Sequence, residues 1–113
     1  MTNTEKLICE AISTGRVLYF LYENEKTPRT IEPYTLGHRE GIEELELSAW
    51  QTDGPSEGKT AKGWRTFMVA KMKFNKQAQP AAFTKPRKGY TPGDSRMAEI
   101  VCEFQPVVKL KPA

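Results

Sequence analysis

The run RVLYFLYEN, residues 16–24, is apolar on both parities: Val17, Tyr19 and Leu21 alternate with Leu18, Phe20 and Tyr22. A short run this rich in aromatic side chains reads as a strand, and a strand with no polar face has to be covered on both sides. It predicts a central strand around which the fold is organised. In 113 residues there is room for one core only, because a second of viable size needs roughly fifty residues more. The chain is therefore expected to be a single domain over 1–113, and two-domain enzymes are excluded.

The flanking segments add a helix and further short strands. Thr4 is placed to cap a helix in which Leu7, Ile8, Ala11 and Ile12 form one apolar stripe and Gly15 supplies the stop, a short amphipathic lid. After the polar turn Asn24 to Pro28, RTIEPYTLG resumes an extended pattern, and Pro33 inside it demands an edge or a bulge. After Gly41, IEELELSAW alternates, with Leu45, Leu47 and Ala49 on one face and Glu44, Glu46 and Ser48 on the other, so one side of that strand should be wet. Residues 52–63 form a flexible loop by composition. From Trp64 to Phe74 alternation returns: Trp64, Thr66, Met68, Ala70, Met72 and Phe74 share one parity, and Arg65, Phe67, Val69, Lys71 and Lys73 the other. Prolines and glycines around PRKGYTPGD make 75–95 an irregular excursion, and MAEIVCEF fits a helical stripe or a strand, the strand being favoured by its QPVVKL continuation. One helix and about five short strands suit a small, bent antiparallel sheet closing into a barrel, since so short a sheet must cover its edges.

Hydrophobic residues make up 38% of the chain and charged residues 27%, which describes a soluble globule. No apolar run approaches the ~20 residues of a spanning helix, and the start MTNTEKLICEAIS carries no signal-peptide pattern, so a cytoplasmic location and no membrane partner are expected. In that reducing setting Cys9 and Cys102 read as buried free thiols. With the single His38 they cannot close a zinc shell, and no cofactor is expected.

Charge is divided along the chain. Residues 1–58 carry 5 Lys+Arg against 11 Asp+Glu, a net −6, and residues 59–113 carry 12 against 3, a net +9. From Lys59 to Lys88 there are nine basic residues and no acid. Such a stretch either pairs with the acidic half inside the fold or faces a polyanion.

The segments RVLYFLY, RTIEPYTLG, LELSAW and RTF with the KM that follows it resemble, over roughly Leu7 to Met72, the WYL domain of bacterial transcriptional regulators, an Sm-like, SH3-type β-barrel. The likeness is most specific from Arg29 through Leu36, where the arginine, an aliphatic residue, Pro33 and Tyr34 stand in register. The Trp-Tyr-Leu triplet that names the family falls on Leu45, Glu46 and Leu47, and Arg65 and Phe67 match the arginine-rich strand, in which Met68 and Lys71 replace arginines. No DNA-binding helix-turn-helix accompanies the module, which would make this a stand-alone version. The resemblance implies a sensory module that binds an anionic effector, a nucleotide or single-stranded nucleic acid, and switches an attached regulator. It also offers Arg29 and Tyr34 as pocket residues; the alternative is that Arg29 pairs with a carboxylate and Tyr34 fills the barrel.

On the residues themselves, Arg65, Lys71 and Lys73 share a strand parity, which would set Lys71 and Lys73 roughly 6.6 Å apart on one face, on the order of one nucleotide step. Phe67 or Tyr90 could stack a base, and Arg87, Lys88 and Tyr90 would extend the face from the loop. The alternative is that Phe67 and Val69 pack under the helix and the cations only rim that contact. His38 reads as a surface turn residue, Glu43, Glu44 and Glu46 lack the burial that tunes an acid, and the GKT at Gly58 to Thr60 lacks the spacing of a phosphate loop. Trp50 and Trp64 read as core or rim anchors. No nucleophile–base pair is spaced for catalysis, so a non-enzymatic binding module is expected. Its rival is an assembly module that oligomerises, or docks on a partner regulator, through strand edges and complementary charge.

Overall fold

The computed structural model describes residues 2–55, 62–74, 83, 86–93 and 97–105. Helix α1 spans Asn3–Thr14 and is followed by strands β1 (Leu18–Tyr22), β2 (Arg29–His38), β3 (Glu46–Asp53) and β4 (Gly63–Met68), a 3-10 turn (Val69–Lys71), and strands β5 (Met72–Lys73) and β6 (Glu99–Glu103). The described part is mainly an antiparallel sheet with one N-terminal helix. Its ladders run β4-β3-β2-β1-β5, with β6 also paired to β2.

The cap of α1 is Thr2, two residues before the expected Thr4. Thr2 Oγ1 accepts the Glu5 N–H at 3.1 Å while the Glu5 carboxylate accepts the Thr2 N–H at 3.2 Å, a reciprocal box that Thr4 has no partner to build. Ile8, Ala11 and Ile12 are buried as the stripe requires. The helix ends at Gly15, in the left-handed conformation at φ 65°, ψ 46°. A Cβ there would also run into the carbonyl oxygen of Phe83, whose own N–H donates to the Gly15 carbonyl at 2.7 Å.

β2 rather than β1 is the organising strand. β1 does lie between two strands, β2 and β5, but it buries only Leu18 and Phe20 on one face and leaves Tyr19 44% exposed on the other. β2 is ten residues long and pairs with three strands. Pro33 sits at a bulge: Pro33 opposes Ala49 and Thr35 opposes Ser48, leaving Tyr34 as the extra residue. The bulge lets β2 turn, so that Arg29 to Ile31 face β1 and Thr35 to His38 face β6. It also frees the Tyr34 carbonyl to accept the Phe104 N–H at 2.7 Å.

Two expected faces differ. Glu46 and Ser48, assigned to a wet face of β3, are buried. β3 is flanked on both sides, and Arg39 from the preceding turn caps Glu46 at 2.8 Å. The alternation after Trp64 is also not one strand, because the 3-10 turn follows Met68. There the Val69 N–H donates to Leu45 and the Lys71 carbonyl accepts from Glu23, so the chain leaves the β3 edge and joins the β1 edge. The strand reading of MAEIVCEF agrees with β6; the QPVVKL continuation from Pro106 onward lies outside the described residues, as do Lys76, Lys85 and residues 56–61 of the expected loop, which carry the GKT at Gly58 to Thr60.

Packing of α1 on β2 and β6 overturns the free-thiol expectation: Cys9 and Cys102, 93 residues apart in sequence, are joined as a disulfide with their Cα atoms 5.7 Å apart. Their separation along the chain conceals this, since only the docking of the helix brings them opposite. Between helix and sheet the core is built from Ile8, Ile12, Leu18, Phe20, Ile31, Leu36, Leu47 and Phe67, each contributing on the order of 1.5–3 kcal/mol by burial.

Candidate functional site

The nine candidate residues do not share one site: two belong to the core, three are scattered and four gather in a third place. Phe67 is buried, with its ring 5.1 Å from those of Phe20 and Tyr22 in edge-on contact, so it belongs to the core and offers no face to a base. Arg29 lies over this cluster, its guanidinium carbon 5.5 Å from the Tyr22 ring and 5.4 Å from the Phe67 ring. Its Nε and Nη2 donate to the two carboxylate oxygens of Glu25 at 2.9 and 2.7 Å, and Nη1 donates to Gln51 at 3.0 Å. Arg29 thus fastens the β1–β2 turn to β3.

Arg65, Lys71 and Lys73 do not form one strand face. Arg65 is on β4, half-buried, and donates to the Trp64 carbonyl at 2.8 Å. Lys71 closes the 3-10 turn and Lys73 belongs to β5, at the other end of the ladder order. The turn breaks the parity on which the shared face depended. Lys71 instead meets Glu23 at 3.5 Å in an exposed pair, the kind worth little to stability.

The third place gathers the rest. Tyr34 is fully buried at the centre of a cluster with ring centroids of Trp64, Phe83, Tyr90 and Phe104 between 5.0 and 5.4 Å away. Its hydroxyl donates to Glu32 at 3.0 Å and accepts the Arg87 N–H at 3.1 Å. Burial, with a smaller contribution from the Glu32 carboxylate, holds the Tyr34 phenol well above its ordinary pKa. Arg87 clamps the same carboxylate from outside, Nε and Nη2 donating at 2.9 Å each. That paired hydrogen bond raises the pKa of a guanidinium already charged at any working pH. The Arg87 guanidinium also lies over Trp50, 5.5 Å from its ring, and Trp50 meets Trp64 edge-on at 5.7 Å.

The segment carrying Arg87 and Lys88 is held by backbone as well. Trp64 Nε1 donates to the Lys88 carbonyl at 2.9 Å, and Gly89, at φ 100°, lets the chain lie flat on the indole, where a Cβ would sit 2.9 Å from Nε1. Tyr90 donates to the Phe104 carbonyl, and the Gly93 N–H donates to Glu103 at 2.7 Å. The arrangement leaves an outward-facing arginine, the exposed Lys88 beside it, and two half-buried indoles underneath.

Sequence reading named Arg87, Lys88 and Tyr90 here, gave Trp50 and Trp64 only an anchoring role, and did not name Glu32. Glu32 shares strand parity with Tyr34, and the run without acids from Lys59 to Lys88 left its cations either to face a polyanion or to pair with carboxylates in the first half of the chain. Arg87 and Lys71 did the latter.

Among the described residues no three His, Cys, Asp or Glu side chains converge to hold a metal ion, and no helix is long and apolar enough to cross a membrane. His38 is the last residue of β2, half-buried opposite Glu99. No protein-family model, curated protein or solved structure matches the chain.

Proposed function

We propose that this chain is a non-enzymatic binding module for an anionic ligand, a nucleotide or single-stranded nucleic acid, taken on the surface formed by Arg87, Lys88, Trp50 and Trp64. The observation that carries this reading is the guanidinium of Arg87 layered on the Trp50 indole, with Lys88 next to it and Trp64 behind. A guanidinium layered on an indole and open to solvent on its outer side, with a second cation beside it, suits a ligand that combines phosphate with a flat base stacked on Arg87, at about 1–3 kcal/mol per stacked base. Arg87 is already oriented by Glu32, so little side-chain entropy is left to lose on binding.

The WYL-like, Sm-type small barrel is part of the same proposal. It is supported by the ladder path β4-β3-β2-β1-β5, in which a three-residue turn returns the chain from β4 to a strand beside β1, as a short sheet that bends round on itself would require. The regulatory role that goes with that family is inherited with it.

A salt titration of a fluorescein-labelled oligothymidylate tests the reading. Affinity should fall steeply with salt, and Lys88→Glu should weaken binding and flatten the log–log slope by about 0.7, the share of one phosphate that no longer meets a cation. Absence of binding at low salt, or binding indifferent to salt, would remove the proposal.

A further inference from the structure

Besides the bonds of Arg87 to Glu32 and Tyr34 and of Trp64 to Lys88, three attachments run from the segment that carries Arg87 and Lys88 to the two elements the disulfide joins. The end of α1 receives Phe83 through the Gly15 carbonyl. β6 receives Gly93 on Glu103 and Tyr90 on the Phe104 carbonyl, one and two residues beyond Cys102. The Cys9–Cys102 bond ties α1 to β6 and closes the frame. Both cysteines are half-buried rather than enclosed, which leaves them within reach of a reductant.

We propose that this disulfide is a redox-operated clamp on the anion-binding segment, so that reduction lowers affinity and reoxidation restores it; this regulation rests on the binding function proposed above. A thiolate of a dithiol reductant attacks one sulfur, forms a mixed disulfide and expels the other cysteine as a thiolate. The reductant's second thiol then attacks the mixed disulfide, closes its own S–S bond and expels the first cysteine. Two electrons and two protons pass to the protein, and a disulfide oxidant reverses the exchange. α1 survives the cut, since its capping box and its buried Ile8, Ala11 and Ile12 do not involve sulfur. What loosens is its register against β6, and with it the bonds from Glu103 and Phe104 to the segment.

The test uses the full chain in three forms: oxidised, reduced by excess dithiothreitol with the thiols counted, and the double variant Cys9→Ser/Cys102→Ser. Amide hydrogen exchange over residues 86–93 reads the clamp, and the affinity for labelled oligothymidylate at low salt reads its effect. Reduction should expose two thiols, speed exchange in 86–93 by about tenfold or more while the α1 amides stay protected, and raise Kd about three- to tenfold, with the double variant matching the reduced protein. Unchanged exchange in 86–93 overturns the clamp whatever the binding does. Exchange that speeds up equally in α1 overturns a local device in favour of general unfolding. A segment that loosens on reduction in a protein that binds no oligonucleotide in any form overturns the binding function, and control of affinity falls with it.

Discussion

Two arginines in this molecule make nearly the same bonds and end with opposite consequences. Arg29 and Arg87 each grip a glutamate through Nε and Nη2, and each lies over aromatic rings. The Arg29 side chain is only 11% exposed, against 29% for Glu25; for Arg87 the figure is 45%, against 8% for Glu32. One pair turns its carboxylate to the water and the other its guanidinium. Identical pairing chemistry thus leaves the carboxylate as the more exposed partner at one end of β2 and the guanidinium over its middle, and burial decides which charge is offered to a partner.

The comparison can be broken most directly at Arg29. Replacing Arg29 by alanine takes the guanidinium away from Glu25 and Gln51 in a half-buried setting and should lower unfolding free energy by about 2–3 kcal/mol, measured by urea denaturation. Arg87→Ala, losing a half-solvated pair, should cost about 1 kcal/mol. Equal losses would abolish the distinction.

Glu32→Gln cuts at the buried side of the second pair. It keeps the shape but removes the charge that orients Arg87, and should cost about 1–2 kcal/mol while weakening oligonucleotide binding, read by the same denaturation and titration.

A pH dependence sharpens the contrast further. The folded Tyr34 phenol holds its proton above the unfolded value of about 10. Its contribution to stability is therefore complete below about pH 10 and is lost as pH rises from there towards the higher folded value, because the unfolded chain releases a proton that the folded one keeps. Tyr34→Phe should remove this part of the alkaline decline. At neutral pH it should cost about 1 kcal/mol for the two hydrogen bonds of the hydroxyl, and thermal unfolding of both proteins across that range checks it. The smallest effect on the fold belongs to Lys88→Glu. Only the Lys88 carbonyl is used by Trp64, so the melting temperature should hold while affinity drops.

Much of this architecture was legible in the residues. The stripe Ile8, Ala11 and Ile12 with its Gly15 stop, and a bulge as one of the two places open to Pro33, follow from local rules, whereas the period of MAEIVCEF suited a helix as well as β6 and its neighbours decided for the strand. The misses share a cause in tertiary structure. Val69 to Phe74 keep perfect alternation with no glycine or proline to mark a break, and it is a bond from Val69 to Leu45, distant in sequence, that turns the chain there. Glu46 looks wet until Arg39 is laid across it. At the candidate site the cations could be read, but Glu32 and the indoles that aim Arg87 come together only when residues 86–93 fold across β2 to β4.

The extra residue at Tyr34 works as a reading frame for the second half of β2. Were it drawn into the ladder opposite Ser48, Thr35 to His38 would flip by one pleat, turning Leu36 away from the core and presenting β6 with the wrong side of its partner. A slip of one residue, two positions from the strand pair Leu36–Cys102, would in this way unseat β6, the helix tied to it, and the tyrosine bonds that seat the loop.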